Sequence, residues 1–172
     1  MIFAVLLFAV AVALLALAAR NDWRGMQIPN KYPVALLALF LFGLVVPREY
    51  FGGVTLLSGL FAGALVFAIT FFFYAIKAMG AGDTKLASAT AFLVGMSHLG
   101  VFLMGMAVTG GTLAAYALLV RKQPRFLPVT SDIPSNAWLS QLKNGASKIP
   151  YGIAIAAGGI LALFLRWIAP LF

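Results

Sequence analysis

The sequence holds no cysteine and one histidine in 172 residues. The first absence excludes disulfides, thiol catalysis and cysteine-ligated zinc together. The second leaves no protein-built transition-metal site, so neither a metal nor another cofactor is expected. Acidic residues are also scarce, four against twelve Lys and Arg, and charged residues of all kinds make up 9% of the chain. What fills the space is apolar: 63% of the residues are hydrophobic and the mean hydropathy is +1.05. A water-soluble core cannot absorb that much apolar surface, so the chain reads as an integral membrane protein with the lipid bilayer as its solvent. The net charge of +8 does not point to a nucleic-acid partner. Such a binder gathers its Lys and Arg on a folded polar face, whereas here they punctuate apolar segments.

Apolar runs of about 18 or more residues can cross a hydrocarbon layer about 30 Å thick. Runs of this kind use most of the chain, which predicts one domain, 1–172. Span one covers about residues 2 to 19. Its Ala16-Leu17-Ala18 resembles a signal-peptidase site, but a secretory leader carries positive charge before its apolar core. Here Arg20, Arg24 and Lys31 come after it, which favours a retained helix. Span two runs from about Ile28 or Pro33 to Val46, and a turn from Pro47 to Gly53 leads to span three at about 54 to 76, where Gly59 and Gly63 would allow close helix packing. The run 86–120 is too long for one crossing at about 1.5 Å per residue. It divides near Gly95-Met96-Ser97-His98-Leu99-Gly100 into spans four (84–96) and five (100–120), with His98 at the outer turn. In the polar stretch 121–150, Ser135 could cap a short interfacial helix with Trp138, Leu139 and Leu142 on one face and Lys143 snorkelling beside them. Span six lies at about 151–168. The expected fold is all-α, a polytopic membrane protein of about six transmembrane helices.

Loops 20–33, 77–85 and 121–150 hold three, two and five Lys or Arg, ten of the twelve. Only Arg48 and Arg166 fall on the other face. Because cytoplasmic loops collect positive charge, these three loops are expected inside and both termini outside. Asp22 and Asp83 then share the cytoplasmic face, and Glu49 lies opposite.

Asp22 stands where the first helix leaves the bilayer, and Asp83 ends Gly80-Ala81-Gly82-Asp83 at the entry to span four. A carboxylate costs about 2.5 to 3.5 kcal/mol at mid-bilayer and less near an interface, so each alone is affordable. If spans one and four pack together, the two side chains could meet. Two carboxyls in one site do not both ionise easily, because repulsion and desolvation hold a proton on one of them. Such a pair can deprotonate a water and protonate a carbonyl oxygen or leaving amine, as in aspartic proteases. The pair would titrate as a unit. Gly80 and Gly82 permit backbone angles and close approach that a Cβ would forbid, so an extended substrate strand could lie against this loop. The same residues also fit plainer roles, Asp83 as the cap of span four and Asp22 as an interfacial carboxylate neutralised by Arg20 or Arg24. The Phe71-Phe72-Phe73-Tyr74 run reads as packing or lipid contact at the end of a span.

Gly80-Ala81-Gly82-Asp83 resembles the Gly-x-Gly-Asp signature of the intramembrane-type aspartyl proteases. Asp22-x5-Ile28-Pro29-Asn30, with Arg24, is similar to the first aspartate segment of type IV prepilin peptidases. Gly80-Ala81-Gly82-Asp83-Thr84-Lys85-Leu86 extends the second match, and Lys148-x-Pro150-Tyr151-Gly152-x-Ala154-Ile155-Ala156 resembles the opening of the last span in the short Flp/Tad-pilus branch. Presenilin-like relatives fit less well: Asn21 precedes Asp22, and a Pro-Ala-Leu signature is absent. The resemblance implies a peptidase with Asp22 and Asp83 as the catalytic pair, and with Gly80, Gly82, Lys85, Pro150, Tyr151 and Gly152 as supporting residues. Lys85, two residues after Asp83 on a helix, would point elsewhere and charge the cytoplasmic edge. The implied substrate is a prepilin in the membrane: a short basic leader, a Gly before the scissile bond and a retained apolar helix. The implied location is the bacterial inner membrane, beside any pilus-assembly machinery. The chain begins in span one and has no paired cysteines, so no separate methyltransferase domain is expected. Two other readings stand beside this one. In the first the chain is a small proton-coupled transporter, although such folds place acids near mid-membrane and show internal repeats. In the second it is a non-catalytic assembly protein whose acids are caps and counter-ions.

Overall fold

Lipid offers no partner for a backbone N–H or C=O group, so a lipid-facing chain must satisfy them inside helices or a closed barrel. This chain uses helices. The computed structural model describes residues 2–47, 53–122, 138 and 149–171. Arg48, Glu49, Ser135, Leu139, Leu142, Lys143 and Lys148 lie outside them. The elements are α1 (Ile2–Gly25), α2 (Lys31–Val45), α3 (Leu56–Ala75), α4 (Ala81–Lys122) and α5 (Tyr151–Trp167), closed by a 3-10 turn at Ala169–Leu171. No strand occurs among the described residues. Helices α1, α3 and α4 are long and apolar enough to cross a membrane, whereas α2 and α5 are shorter apolar helices of 15 and 17 residues.

The bundle is built around small residues. Ala11, Ala18, Ala62, Ala87, Ala91 and Ala154 are fully buried, while Leu57, Phe61, Phe72 and Met104 stay more than 60% exposed. Large side chains such as Leu15, Leu36, Phe102 and Leu163 are buried among the alanines, and the small residues let helix backbones approach closely, as packing in lipid favours. Gly59 and Gly63 act as expected: a Cβ on either would run into Phe92 or the Phe40 ring, so α3 rests directly on α2 and α4. Along α1 the buried positions Ala4, Leu7, Ala11, Leu15, Ala18 and Asp22 recur every three or four residues, forming one inward stripe that ends in a carboxylate.

Although α4 is continuous in hydrogen bonding, it is not one rod. On a straight helix Thr90 and Met106 would stand about 24 Å apart. Both flank the Gly158-Gly159 pair of α5: a Cβ on Gly159 would sit 2.7 Å from Thr90 Cγ2, and one on Gly158 would sit 2.7 Å from the Met106 nitrogen. The chain therefore doubles back at Gly95, whose φ of 65° lies in the left-handed region that glycine tolerates. This is the division expected between residues 95 and 100. The first arm, 81–94, is the buried centre of the bundle, and the second returns along α5.

Breaking the helix frees backbone groups, and two of them are met by side chains. The Val94 carbonyl accepts a hydrogen bond from Arg166 Nη1 at 2.6 Å, which also donates to Ser97 Oγ at 2.6 Å. The Met96 N–H donates to Ser58 Oγ at 3.0 Å. Arg166, read from sequence only as a charge on the outer face, is buried in this elbow. His98 stands at the same turn, with Nδ1 3.2 Å from Ser97 Oγ.

Candidate active site

Four pieces of chain converge at the end of the bundle opposite the Gly95 elbow: the last turn of α1, the connector 26–30, the first turn of α4 and the first turn of α5. The first turn of any helix presents N–H groups with no partner inside the helix. Two of these are answered here by carboxylates. The Gly152 N–H, in the first turn of α5, donates to Asp22 Oδ2 at 2.7 Å, across 130 residues of sequence. The Gly80 N–H, just before α4, donates to Asp83 Oδ2 at 3.2 Å. Both contacts place an anion where helix dipoles favour one.

Asp22 lies inside α1, which continues to Gly25 rather than ending near residue 19, and it is 5% exposed. Arg20 and Arg24 are exposed. No ion pair from either reaches Asp22 among the described residues, so a neutralised interfacial carboxylate does not describe it. Asp83 is not the helix cap itself. It is the third residue of α4 and reaches back to the N–H before the helix, one half of a capping box. Thr84 completes the turn, its Oγ1 donating to the Gly80 carbonyl at 3.2 Å. The two carboxyls are near enough for the charge of Asp22 to act on Asp83.

Glycine serves this corner by absence of bulk. Neither Gly80 nor Gly82 has a positive φ, so the freedom of backbone angle anticipated for them is not used. A Cβ on Gly80 would lie 2.8 Å from Asp83 Oδ2, and one on Gly152 would lie 2.9 Å from Asp22 Oδ2. Ile28 fills the middle: its side chain would be 3.1 Å from a Cβ on Gly82 and 3.0 Å from one on Gly152. It is therefore a wedge between the two segments that hold the acids, a role its position in the sequence does not announce.

The connector that carries Ile28 is fastened at both ends. Lys85 Nζ donates to Asn30 Oδ1 at 3.1 Å, and Asn21 Nδ2 donates to the Tyr32 hydroxyl at 3.0 Å. Lys85 is thus partnered by a neutral amide and bonds neither carboxyl. Met26 turns the chain with a left-handed φ of 52°, its N–H bonded to the Asp22 carbonyl at 2.8 Å, a helix ending more often built with glycine. Pro150 is buried at the start of α5, and Tyr151 follows it half-buried. Trp138 is buried. Its ring meets Trp23, the neighbour of Asp22, edge-on at 5.1 Å and Tyr116 at 6.2 Å. Among the described residues there is no cluster of three His, Cys, Asp or Glu side chains that could hold a metal ion.

Asp22, Asp83, Gly80, Gly82 and Gly152 are thus gathered at one corner, with Pro150, Tyr151 and Lys85 around it. Residues 9–115, more than half the chain and a stretch that includes both acids, match the model of the type IV leader peptidase family. The chain belongs to that family. No curated protein and no solved structure matches it. As a member of the type IV leader peptidase family it is a leader-peptidase-like protease, and its apolar helices fit the membrane in which such enzymes work.

Proposed function

We propose that this leader peptidase is an aspartyl endopeptidase that removes the short basic leader of Flp-type prepilins at the cytoplasmic face of the bacterial inner membrane. The observation that carries the reading is the gathering of Asp22 and Asp83, 61 positions apart in the sequence, at one end of the bundle, where the charge of Asp22 acts on Asp83. One carboxylate takes a proton from a water, whose oxygen attacks the peptide carbonyl carbon. The other, protonated, carboxyl gives its proton to the carbonyl oxygen. Collapse of the tetrahedral intermediate breaks the C–N bond: the proton held by the first carboxyl passes to the departing amine, and one hydroxyl of the intermediate returns a proton to the second carboxyl. The N–H groups of Gly152 and Gly80 fix the two carboxyls in place for these transfers, as preorganised donors do.

The charge distribution supports the orientation. Arg20, Arg24, Lys31, Lys77 and Lys85 lie at the end of the bundle that holds the acids, and basic loops stay in the cytoplasm. With α4 folded at Gly95 there are six apolar helical segments, which fits six crossings and both termini outside. A prepilin leader, basic and cytoplasmic, would then reach the acids without leaving its own compartment. Pilus-assembly proteins would be its neighbours. Asp22→Asn and Asp83→Asn test the reading separately. Each is expected to lower prepilin cleavage by at least about a thousandfold while the protein still inserts. Full cleavage by either variant would sink the dyad.

A further inference from the structure

A cavity of about 290 Å³ opens beside the acids, between α3, the returning arm of α4 and the start of α5. Val66 and Thr70 form its buried floor, and Phe73, 44% exposed, stands at its rim. Met106 closes the far side. The remaining wall is made by Met79 and Tyr151, and their positions give the cavity its meaning. Met79 directly precedes Gly80, whose N–H holds Asp83, and Tyr151 directly precedes Gly152, whose N–H holds Asp22. One apolar hollow therefore borders both carboxylate-holding turns. On the α3 side its lining reaches the outer surface of the bundle through Ile69 and Phe73, 43% and 44% exposed.

We propose that this cavity is the side-chain specificity pocket of the peptidase, and that it receives an apolar side chain of a residue flanking the cleaved bond; the assignment rests on the peptidase reading above. Three properties select that occupant. An apolar cavity of about 150 Å³ accepts a benzene ring, so this one has room for a ring-sized side chain. Its lining offers side-chain oxygens only from Thr70 and Tyr151, and the Thr70 hydroxyl is already bonded to the Val66 carbonyl at 2.7 Å. Ile69 and Phe73 put part of that lining on the apolar outer face of α3, where a residue arriving on a helix in the bilayer would meet it.

The test uses the full chain in lipid vesicles and prepilins carrying Ala, Leu or Phe at each of the two positions flanking the bond. At one of those positions wild-type kcat/KM should rise about tenfold or more from Ala to Phe, the usual discrimination of an apolar pocket. Met106→Trp, which fills the cavity, should erase or reverse that ranking. A flat ranking in the wild type, or the wild-type ranking kept in Met106→Trp, overturns the assignment. Phe73→Ala provides a second reading that does not depend on how Met106→Trp folds: widening the rim should raise the ratio for a Trp-bearing over a Phe-bearing prepilin, and an unchanged ratio counts against the pocket. Failure of the reading beneath has its own signature, full cleavage that persists in either Asp22→Asn or Asp83→Asn. Dyad-dependent cleavage that is indifferent to these side chains defeats the pocket alone.

Discussion

At the scale of single residues the site depends on atoms that are not there. Gly152 leaves room for Asp22 and Ile28 at once, since an added Cβ would meet Asp22 Oδ2 at 2.9 Å and Ile28 Cδ1 at 3.0 Å. Ile28 can rotate away but the carboxylate cannot without losing its bond to the Gly152 N–H. Gly152→Ala is therefore expected to displace Asp22 and lower kcat about a hundredfold, the scale that follows from misplacing a reacting group by about 1 Å. Gly82→Ala should cost less, because the nearest atom, Ile28 Cβ at 3.1 Å, belongs to a connector that can yield by a few tenths of an ångström. Cleavage rates of the two variants, measured beside thermal unfolding in detergent, check the order. If Gly82→Ala proved the more damaging, Ile28 rather than Asp22 would be the sensitive atom group. Lys85 belongs to a different class. Its bond to Asn30 fastens the connector without touching either acid, so Lys85→Met should reduce cleavage only about two- to tenfold, through the loss of one surface-exposed hydrogen bond.

Among the helices, α4 shows how a sequence divides itself. Its length required a turn and its glycines marked where, but the partner of that turn was hidden. Arg166 lies 72 residues beyond the carbonyl it caps, and nothing in its neighbourhood of α5 distinguishes it from an arginine at a membrane edge. The pairing of Gly152 with Asp22 is hidden for the same reason: a backbone N–H leaves no mark in the sequence. The inward stripe of α1, by contrast, is legible, because Asp22 falls in phase with Ala4, Leu7, Ala11, Leu15 and Ala18. Asp83 was legible as a residue of a helix start and misjudged by position, since the glycines before it moved the cap to Gly80. Arg166→Ala should expose what the elbow contributes. It leaves the Val94 carbonyl buried without a donor, a loss of about 1 to 3 kcal/mol, read as a lower midpoint of unfolding. Gly95→Ala should be comparably harmful, because a left-handed φ and a Cβ 2.9 Å from Ser58 Oγ both oppose it.

Over the whole molecule the two ends of the bundle do different work. One end holds the acids and most of the described basic residues, and the other holds the Gly95 elbow with its buried arginine. The first arm of α4, residues 81–94, rises only about 20 Å, less than the about 30 Å of a hydrocarbon core. Its neighbours α1 and α3, of 24 and 20 residues, are long enough to cross that core. The proposed orientation requires that the two ends open to different compartments. Because the chain has no cysteine, a single introduced thiol reports its own position. Arg24→Cys and Lys77→Cys, beside the two acids, should react with a membrane-impermeant maleimide only in inverted vesicles. Met96→Cys, at the elbow and 47% exposed, should react in right-side-out vesicles or intact cells. Labelling of positions 24 and 77 from opposite sides would separate Asp22 from Asp83 across the membrane and defeat the dyad. Labelling of all three from one side would show that the first arm of α4 fails to cross, leaving the acids together but the proposed orientation wrong.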